Sequence, residues 1–312
     1  MYIGIDIGGS TIKGMISDRS GKELGFQQIV TPKTAKDIDL GVYGLIETLA
    51  ASASKSKASI RAICIGSPGP IDRKRGAIVQ APNIPGFNNH PIVKNIEKRT
   101  GVGVLLENDA TVALVGAWWK VVGSRYRNWI MLTLGTGIGG GLVINDKMYT
   151  GISGNAMEVG HMSIELNGKV CGCGGRGCWE RYASGTALVE LARIKLSKGN
   201  HSSIHGRIKN EEFTPLLLYE EALKKDMLAL EIFEEYAAYL GIGIANLINI
   251  FNPEAILIGG GISRSHRLIL PIIKKIVNQR ALKGFRENVR YIPLKEPDKI
   301  PSYGAIKIAI DS

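Results

Sequence analysis

Three cysteines crowd into Cys171-Gly172-Cys173-Gly174-Gly175-Arg176-Gly177-Cys178, and His161 precedes them by a short strand and turn. A Cys-x-Cys pair is too tightly spaced to favour a mutual disulfide. Three thiolates and one imidazole make a closed tetrahedral set of the kind that binds structural Zn²⁺, with no open position for a water nucleophile. Two acids flank the set, Glu158 just before His161 and Glu180 just after Cys178, and a metal there would hold both in place. With one ring nitrogen on the metal, His161 can offer its other N–H to a substrate hydroxyl. Cys64, in Ala62-Ile63-Cys64-Ile65, reads instead as a small buried hydrophobe.

A second constellation is Glu107-Asn108-Asp109-Ala110, set between apolar Val104-Leu105-Leu106 and a helical pattern. Helix capping, for which Asn and Asp are both preferred, accounts for one of these polar residues but not for the run. A carboxylate at a strand-to-helix turn suits the base that orients an attacking hydroxyl in phosphoryl transfer, where the enzyme mainly positions groups and spreads charge. Asp109 suits that role. Asn108, and Asn83 in a Pro/Gly-rich loop, carry the paired donors and acceptor that discriminate hydroxyl stereochemistry.

Phosphate chemistry is suggested by three glycine turns: Gly8-Gly9-Ser10-Thr11, Gly135-Thr136-Gly137 and Gly259-Gly260-Gly261. Residues 135–140 satisfy G-x-G-x-x-G, but a dinucleotide fingerprint must open a helix, and the following Gly141-Leu142-Val143-Ile144 is β-rich. No G-x-x-x-x-G-K-[ST] loop is present either. Turns without Cβ let main-chain N–H groups and the hydroxyls of Ser10, Thr11 and Thr136 approach phosphate oxygens closely. Asp6, beside the first turn, suits hydrated Mg²⁺, which keeps several waters and takes one or two carboxylates.

The elements that must carry these residues show a weak internal duplication. Residues 2–6 and 130–134 each run into a glycine turn and then into a second β-rich stretch, so each reads as strand, turn, strand. Two related α/β domains facing a cleft follow, one of residues 1–118 with 298–312, the other of residues 119–297. In the first, residues 22–30 and 60–65 read as strands and 37–53 as an amphipathic helix. A helix over 91–99 and a strand over 103–106 follow. In the second, 185–196, 216–224, 229–251 and 269–277 read as helices, with a strand and glycine turn at 255–261. The polar stretch 197–210 reads as a mobile loop, and the terminal helix, 303–310, returns to the first domain.

At 312 residues with 45% hydrophobic content, the chain can bury the cores of two domains. There is no run of about 18 apolar residues and no signal segment, which points to a cytoplasmic protein without membrane association. The formal charge of +11 is concentrated in 195–209 and 274–290, without the interleaved aromatics of a single-strand binder, and reads as a solvated basic surface rather than a nucleic-acid site.

Together these residues resemble the ROK family of sugar kinases and related repressors, over nearly the whole chain. Residues 6–14 look like the family's first phosphate motif, 134–141 like its second, 107–110 like its catalytic segment, and Glu158-Val159-Gly160-His161 with 171–180 like its sugar and zinc signature. The resemblance implies an α/β fold of the actin-like ATPase (ribonuclease H-like) type, two lobes closing over hexose and MgATP, as a homodimer or homotetramer. It implies Asp109 as base, and sugar contacts from Asn83, Asn108, Asp109, Glu158, His161 and Glu180. Nucleotide contacts fall to Asp6, Gly8, Gly9, Ser10, Thr11, Lys13, Gly135, Thr136, Gly137, Gly259, Gly260 and Gly261, and zinc ligation to His161, Cys171, Cys173 and Cys178. Three positions depart from the family pattern: Thr11 where Lys is frequent, Met157 where Gly is usual, and Ala117 where Glu is usual. The Gly-Gly-Ser-Thr-Ile-Lys variant is similar to polyphosphate-dependent relatives, but those generally lack the zinc signature, so ATP is the expected donor. Glucose is the expected acceptor, ahead of N-acetylmannosamine, N-acetylglucosamine and fructose; loops 66–87 and 151–155 decide among them. A sugar-sensing regulator on the same lobes would place a DNA-binding module ahead of the first phosphate motif, which here starts at residue 6.

Overall fold

The structure is a computed structural model and describes residues 1–53, 59–80, 87–152, 154, 156–199 and 201–312. It divides into two units, one of Met1–Arg125, Gly151–Asn155 and Glu296–Ser312, the other of Tyr126–Thr150 and Ala156–Lys295.

The first unit is built from β1 (Tyr2–Ile7), β2 (Thr11–Ser17), β3 (Glu23–Val30), α1 (Ala35–Ser52), β4 (Ala62–Ser67), the short pair β5 (Ile71–Asp72) and β6 (Ala77–Ile78), α2 (Ile92–Thr100), β7 (Val104–Asn108) and α3 (Asp109–Ala117). Its main sheet has the order β3-β2-β1-β4-β7, with β1, β2 and β3 an antiparallel meander and β4 and β7 parallel to β1. Alternation along β1 explains its two buried faces. Ile3, Ile5 and Ile7 pack with Ile38, Val42, Leu45 and Leu49, which recur at helical spacing along α1. Tyr2 points the other way, into a cluster with Met15, Cys64, Val112 and Ile306. Cys64 is fully buried there, and burial pushes its thiol far above the ordinary range, as suits an inert packing residue. A π-helical turn, Trp118–Val122, prolongs α3, so this unit runs past residue 118.

The second unit repeats the plan. It contains β8 (Trp129–Leu134), β9 (Ile138–Ile144), β10 (Lys147–Met148), α4 (Glu180–Ala183), α5 (Gly185–Leu196), α6 (Ile204–Arg207), α7 (Pro215–Leu223), α8 (Met227–Phe251), β11 (Ala255–Gly259), α9 (His266–Arg280), α10 (Lys283–Arg286) and β12 (Arg290–Pro293). The sheet order is β10-β9-β8-β11-β12, again a meander followed by two parallel strands. Ile130, Leu132 and Leu134 of β8 share a core with Ile232, Phe233, Tyr236, Leu240 and Ile244 of α8.

The last helix, α11 (Ile300–Asp311), belongs to the first unit and packs on β1 and α3. Its Gly304 permits the approach: a Cβ there would stand 1.7 Å from the Val112 carbonyl oxygen of α3. No described helix is long and apolar enough to cross a membrane.

One expectation changes. Residues 201–210, read from sequence as part of a mobile loop, include α6, whose Ile204 is fully buried. Ser203 donates its N–H to Asp226 at 2.9 Å, and Arg207 is paired with Glu211, Glu220 and Glu221. Polar residues anchor this segment through carboxylates at the start of α8 and on α7, and apolar periodicity cannot register such anchors.

Candidate active site

In the first unit, candidate residues gather at the turn between β1 and β2. The Gly8 N–H donates to the Thr11 carbonyl at 2.9 Å and closes the hairpin turn. Thr31 braces it from β3's end, its hydroxyl donating to the Gly8 carbonyl at 2.6 Å and its N–H to the Ser10 carbonyl at 3.0 Å. Gly9 and Ser10 are left exposed. Asp6 and Lys13 are cross-strand partners, and the Lys13 ammonium pairs with Asp298 at 2.6 Å. Burial pushes the Asp6 carboxyl up to about 7, with Asp109 and, less strongly, Asp298 adding to the rise and Lys13 opposing it. Three carboxylates and one lysine therefore share a field that a divalent cation would relieve.

Asn108 and Asp109 stand where β7 passes into α3. Asn108 is the helix cap: its Oδ1 accepts from the N–H groups of Ala110 at 2.9 Å and Thr111 at 3.3 Å, while its amide donates to the Gly69 carbonyl at 3.4 Å. Glu107 is occupied by Arg73, whose Nε donates to it at 2.9 Å, and it also accepts from the Asn108 N–H at 2.7 Å. Of the three polar residues read from sequence, Glu107 is thus bound into the scaffold and Asn108 closes the helix. Asp109 occupies the first helical position, where the N-terminal dipole favours its charge, with Oδ1 accepting from the Ala110 N–H at 2.8 Å. Asn83 lies outside the described residues.

In the second unit, two further glycine turns follow the carboxyl ends of β8 and β11, where ligands of open α/β sheets bind. The Gly135 N–H donates to the Gly137 carbonyl at 3.1 Å to form the turn. The start of α5 straps it, the Gly185 N–H donating to the Gly135 carbonyl at 2.7 Å and the Thr186 hydroxyl to the Thr136 carbonyl at 2.8 Å. Gly259 pairs with Thr133 in register, and Gly260, with φ of 77°, presses against the end of β8 so closely that a Cβ would stand 2.3 Å from the Leu134 carbonyl oxygen. Gly261 then opens a 3₁₀ turn into α9.

His161, Cys171, Cys173 and Cys178 bring their ligand atoms within 4.8 Å of one another. Trp179, fully buried beside Gly243 of α8 and donating its indole N–H to the Tyr239 carbonyl at 2.9 Å, fastens the end of this knuckle to the core. Glu180 follows directly. Its Oε1 lies 3.3 Å from the Cys171 sulfur and 3.6 Å from His161 Nδ1, and its Oε2 lies 2.7 Å from where a Cβ on Gly137 would stand. One acid therefore borders both the knuckle and the glycine turn. Glu158 is exposed, and Met157 before it adopts φ of 69°, the left-handed region that glycine enters without strain. Asp298, Thr31 and Thr186 were not singled out from sequence; each acts through a partner distant in the chain.

The ROK family model matches residues 2–312. The glucokinase of Thermotoga maritima is 37% identical over 281 residues, covering 88% of this chain and 87% of its own. The xylose repressor of Bacillus subtilis is 31% identical, over 99% of this chain and 77% of its own. A ROK family glucokinase from Streptomyces griseus, solved with glucose and AMPPNP, is similar in structure with a TM-score of 0.85 at 32% identity, over 100% of this chain and 99% of its own.

Proposed function

The chain belongs to the ROK family, and we propose that it transfers the γ-phosphoryl group of ATP to glucose, giving glucose 6-phosphate and ADP. The observation that carries this reading is Asp109, set by the Asn108 cap at the first turn of α3 in the same unit as the Gly8–Thr11 turn. The Asp109 carboxylate accepts the proton of the sugar hydroxyl as its oxygen bonds to the γ-phosphorus and the bond from phosphorus to the β–γ bridging oxygen breaks. The Asn108 amide, Asn83, Glu158, Glu180 and the His161 N–H bind sugar hydroxyls. The Gly8–Thr11, Gly135–Gly137 and Gly259–Gly261 turns receive the nucleotide, and Lys13, held by Asp298, lends positive charge beside the first.

The donor sets fit both expected metals. Asp6, whose charge is disfavoured by burial and then by Asp109, suits Mg²⁺, which would neutralise phosphate charge during transfer. Tetrahedral zinc with Zn–S near 2.3 Å separates its ligand atoms by about 3.7 Å. The Cys173 and Cys178 sulfurs are 3.7 Å apart, and Cys171 Sγ is 3.8 Å from His161 Nδ1. With Nδ1 on the metal side, Nε2 remains for a sugar hydroxyl, and Glu180 is held in position.

A coupled ADP-release assay with MgATP against glucose, mannose, fructose, N-acetylglucosamine and N-acetylmannosamine tests the proposal. Glucose is expected to have the highest kcat/KM. Silence with every sugar in zinc-replete protein would overturn it and favour the second reading, a sugar-responsive regulator, which the repressor similarity supports.

A further inference from the structure

We propose that the second unit carries, at the end of its sheet opposite the glycine turns, a binding site for a small phosphate-bearing ligand. The turns lie at the carboxyl ends of β8 and β11, whereas a pocket of about 430 Å³ opens at the other end, beside Tyr126 ahead of β8 and Arg290 at the start of β12. The two are separated by roughly one strand, about 15 Å. Lys274 and Asn278 from α9, Arg286 from α10 and Tyr291 from β12 complete the wall.

The pocket gathers three cations, Arg286 half-buried and Lys274 and Arg290 exposed. Other half-buried cations of this unit meet acids: Lys195 pairs with Glu231 and Glu235, and Arg207 with three glutamates. Among the described residues, no carboxylate pairs with Lys274, Arg286 or Arg290, and none lines the pocket. Glu254, nearby in the chain fold, is already taken by the N–H groups of Arg127 and Asn128, each at 2.7 Å. Three cations facing one concavity without counter-charge repel one another, and an anion removes that cost.

The arrangement is also fixed in advance. Arg286 donates Nη1 to the carbonyls of Asn278 and, at 3.1 Å, Ala281, which orients its fork and leaves the Nε and Nη2 edge for a bidentate contact with phosphate oxygens. Lys274 Nζ sits 5.7 Å from the centre of the Tyr291 ring. Burial pushes the Tyr291 phenol up to about 12, so it remains a donor at neutral pH. The volume suits a small organic phosphate. A single concavity, rather than a track of exposed aromatic faces, disfavours an extended nucleic acid.

Isothermal titration with glycerol 3-phosphate, glucose 6-phosphate and inorganic phosphate tests the site in the wild type, in Arg286→Gln and in the double variant Lys274→Gln/Arg290→Gln. The double variant leaves the α9 end bonds intact, so it keeps the test valid if Arg286→Gln unfolds. Glycerol 3-phosphate is expected to bind once per chain and to weaken about tenfold or more in the double variant, while ATP-dependent glucose phosphorylation is unchanged. Competition by inorganic phosphate at equal affinity assigns recognition to the phosphate alone, and a preference for either ester assigns part of it to the organic group. Absence of binding, equal binding in wild type and double variant, or variant-sensitive binding of a single-stranded oligonucleotide without binding of the esters overturns the proposal. A kinase-inactive wild type that still binds the ester would overturn the proposed function and leave this site standing.

Discussion

In the first unit the penultimate residue of β1 is Asp6, facing Lys13 across the hairpin; in the second the penultimate residue of β8 is Thr133, facing Gly139. The outer parallel strand of the first sheet delivers Asn108 and then Asp109, whereas that of the second ends at Pro293. Strand order and direction are the same in both sheets. What differs is where charge sits. The first copy places carboxylates on its strand ends, while the second keeps its strand ends neutral and rich in glycine and carries its acids, Glu158 and Glu180, on a separate Cys₃His knuckle between β10 and α5. Under the proposed function, the ionisable groups of phosphoryl transfer fall in the first copy, and the close main-chain contacts and the acceptor-binding acids fall in the second.

Among variants that leave Asp109 in place, the largest expected effect breaks the knuckle and spares the first unit. Cys173→Ser should lose its zinc, measured as metal content, and raise the KM for glucose about tenfold or more through misplaced Glu180 and His161. Hydrogen exchange in β1 to β7 should not change. Unchanged KM in metal-free protein would show that the knuckle holds no substrate group.

The next effect falls on the first unit alone. Gly304→Ala drives a methyl group against the Val112 carbonyl and should cost about 1–3 kcal/mol by calorimetry. Gly44→Ala in α1, where a Cβ meets nothing within 4 Å, should stabilise by roughly 0.5–1 kcal/mol. Equal melting temperatures for the two variants would contradict the tight crossing of α3 and α11.

Electrostatics gives a third contrast. Asp6 is raised from 3.8 to about 7, so between those values the folded chain retains a proton that the unfolded chain releases. Its contribution to stability is full below the lower value, declines as pH rises and is lost above the upper one. Asp6→Asn should flatten that decline in a melting profile, and Mg²⁺ should stabilise the wild type near pH 8 but not the variant. Matching profiles for the two proteins would remove Asp6 from the cation site.

The smallest effect is on the second unit's turn: Thr186→Val deletes one bond to the Thr136 carbonyl, worth about 1 kcal/mol, and should raise the KM for ATP a few-fold at constant kcat. An unchanged KM would show that the strap is dispensable.

Much of this contrast was legible in the chain. The duplicated strand, turn and strand follows from alternation and glycine placement, and the spacing of His161, Cys171, Cys173 and Cys178 brings four ligands together because the intervening segment is short. Asp109 could be singled out because polar residues interrupted an apolar strand. Pairings over long separations were not legible: nothing near Lys13 announces Asp298, and nothing near Ser203 or Arg207 announces the acids at Asp226 and on α7 that anchor them. Nor does the basic segment 274–290 reveal that three of its cations face one pocket, since which face each presents depends on how α9, α10 and β12 pack.

The most direct measurement is kcat and glucose affinity on the same Asp109→Asn protein. Removing a general base should lower kcat by about 10²–10⁴-fold, while glucose binding, followed by calorimetry, stays within a few-fold of wild type because its other contacts remain. Near-normal turnover would remove Asp109 as the base.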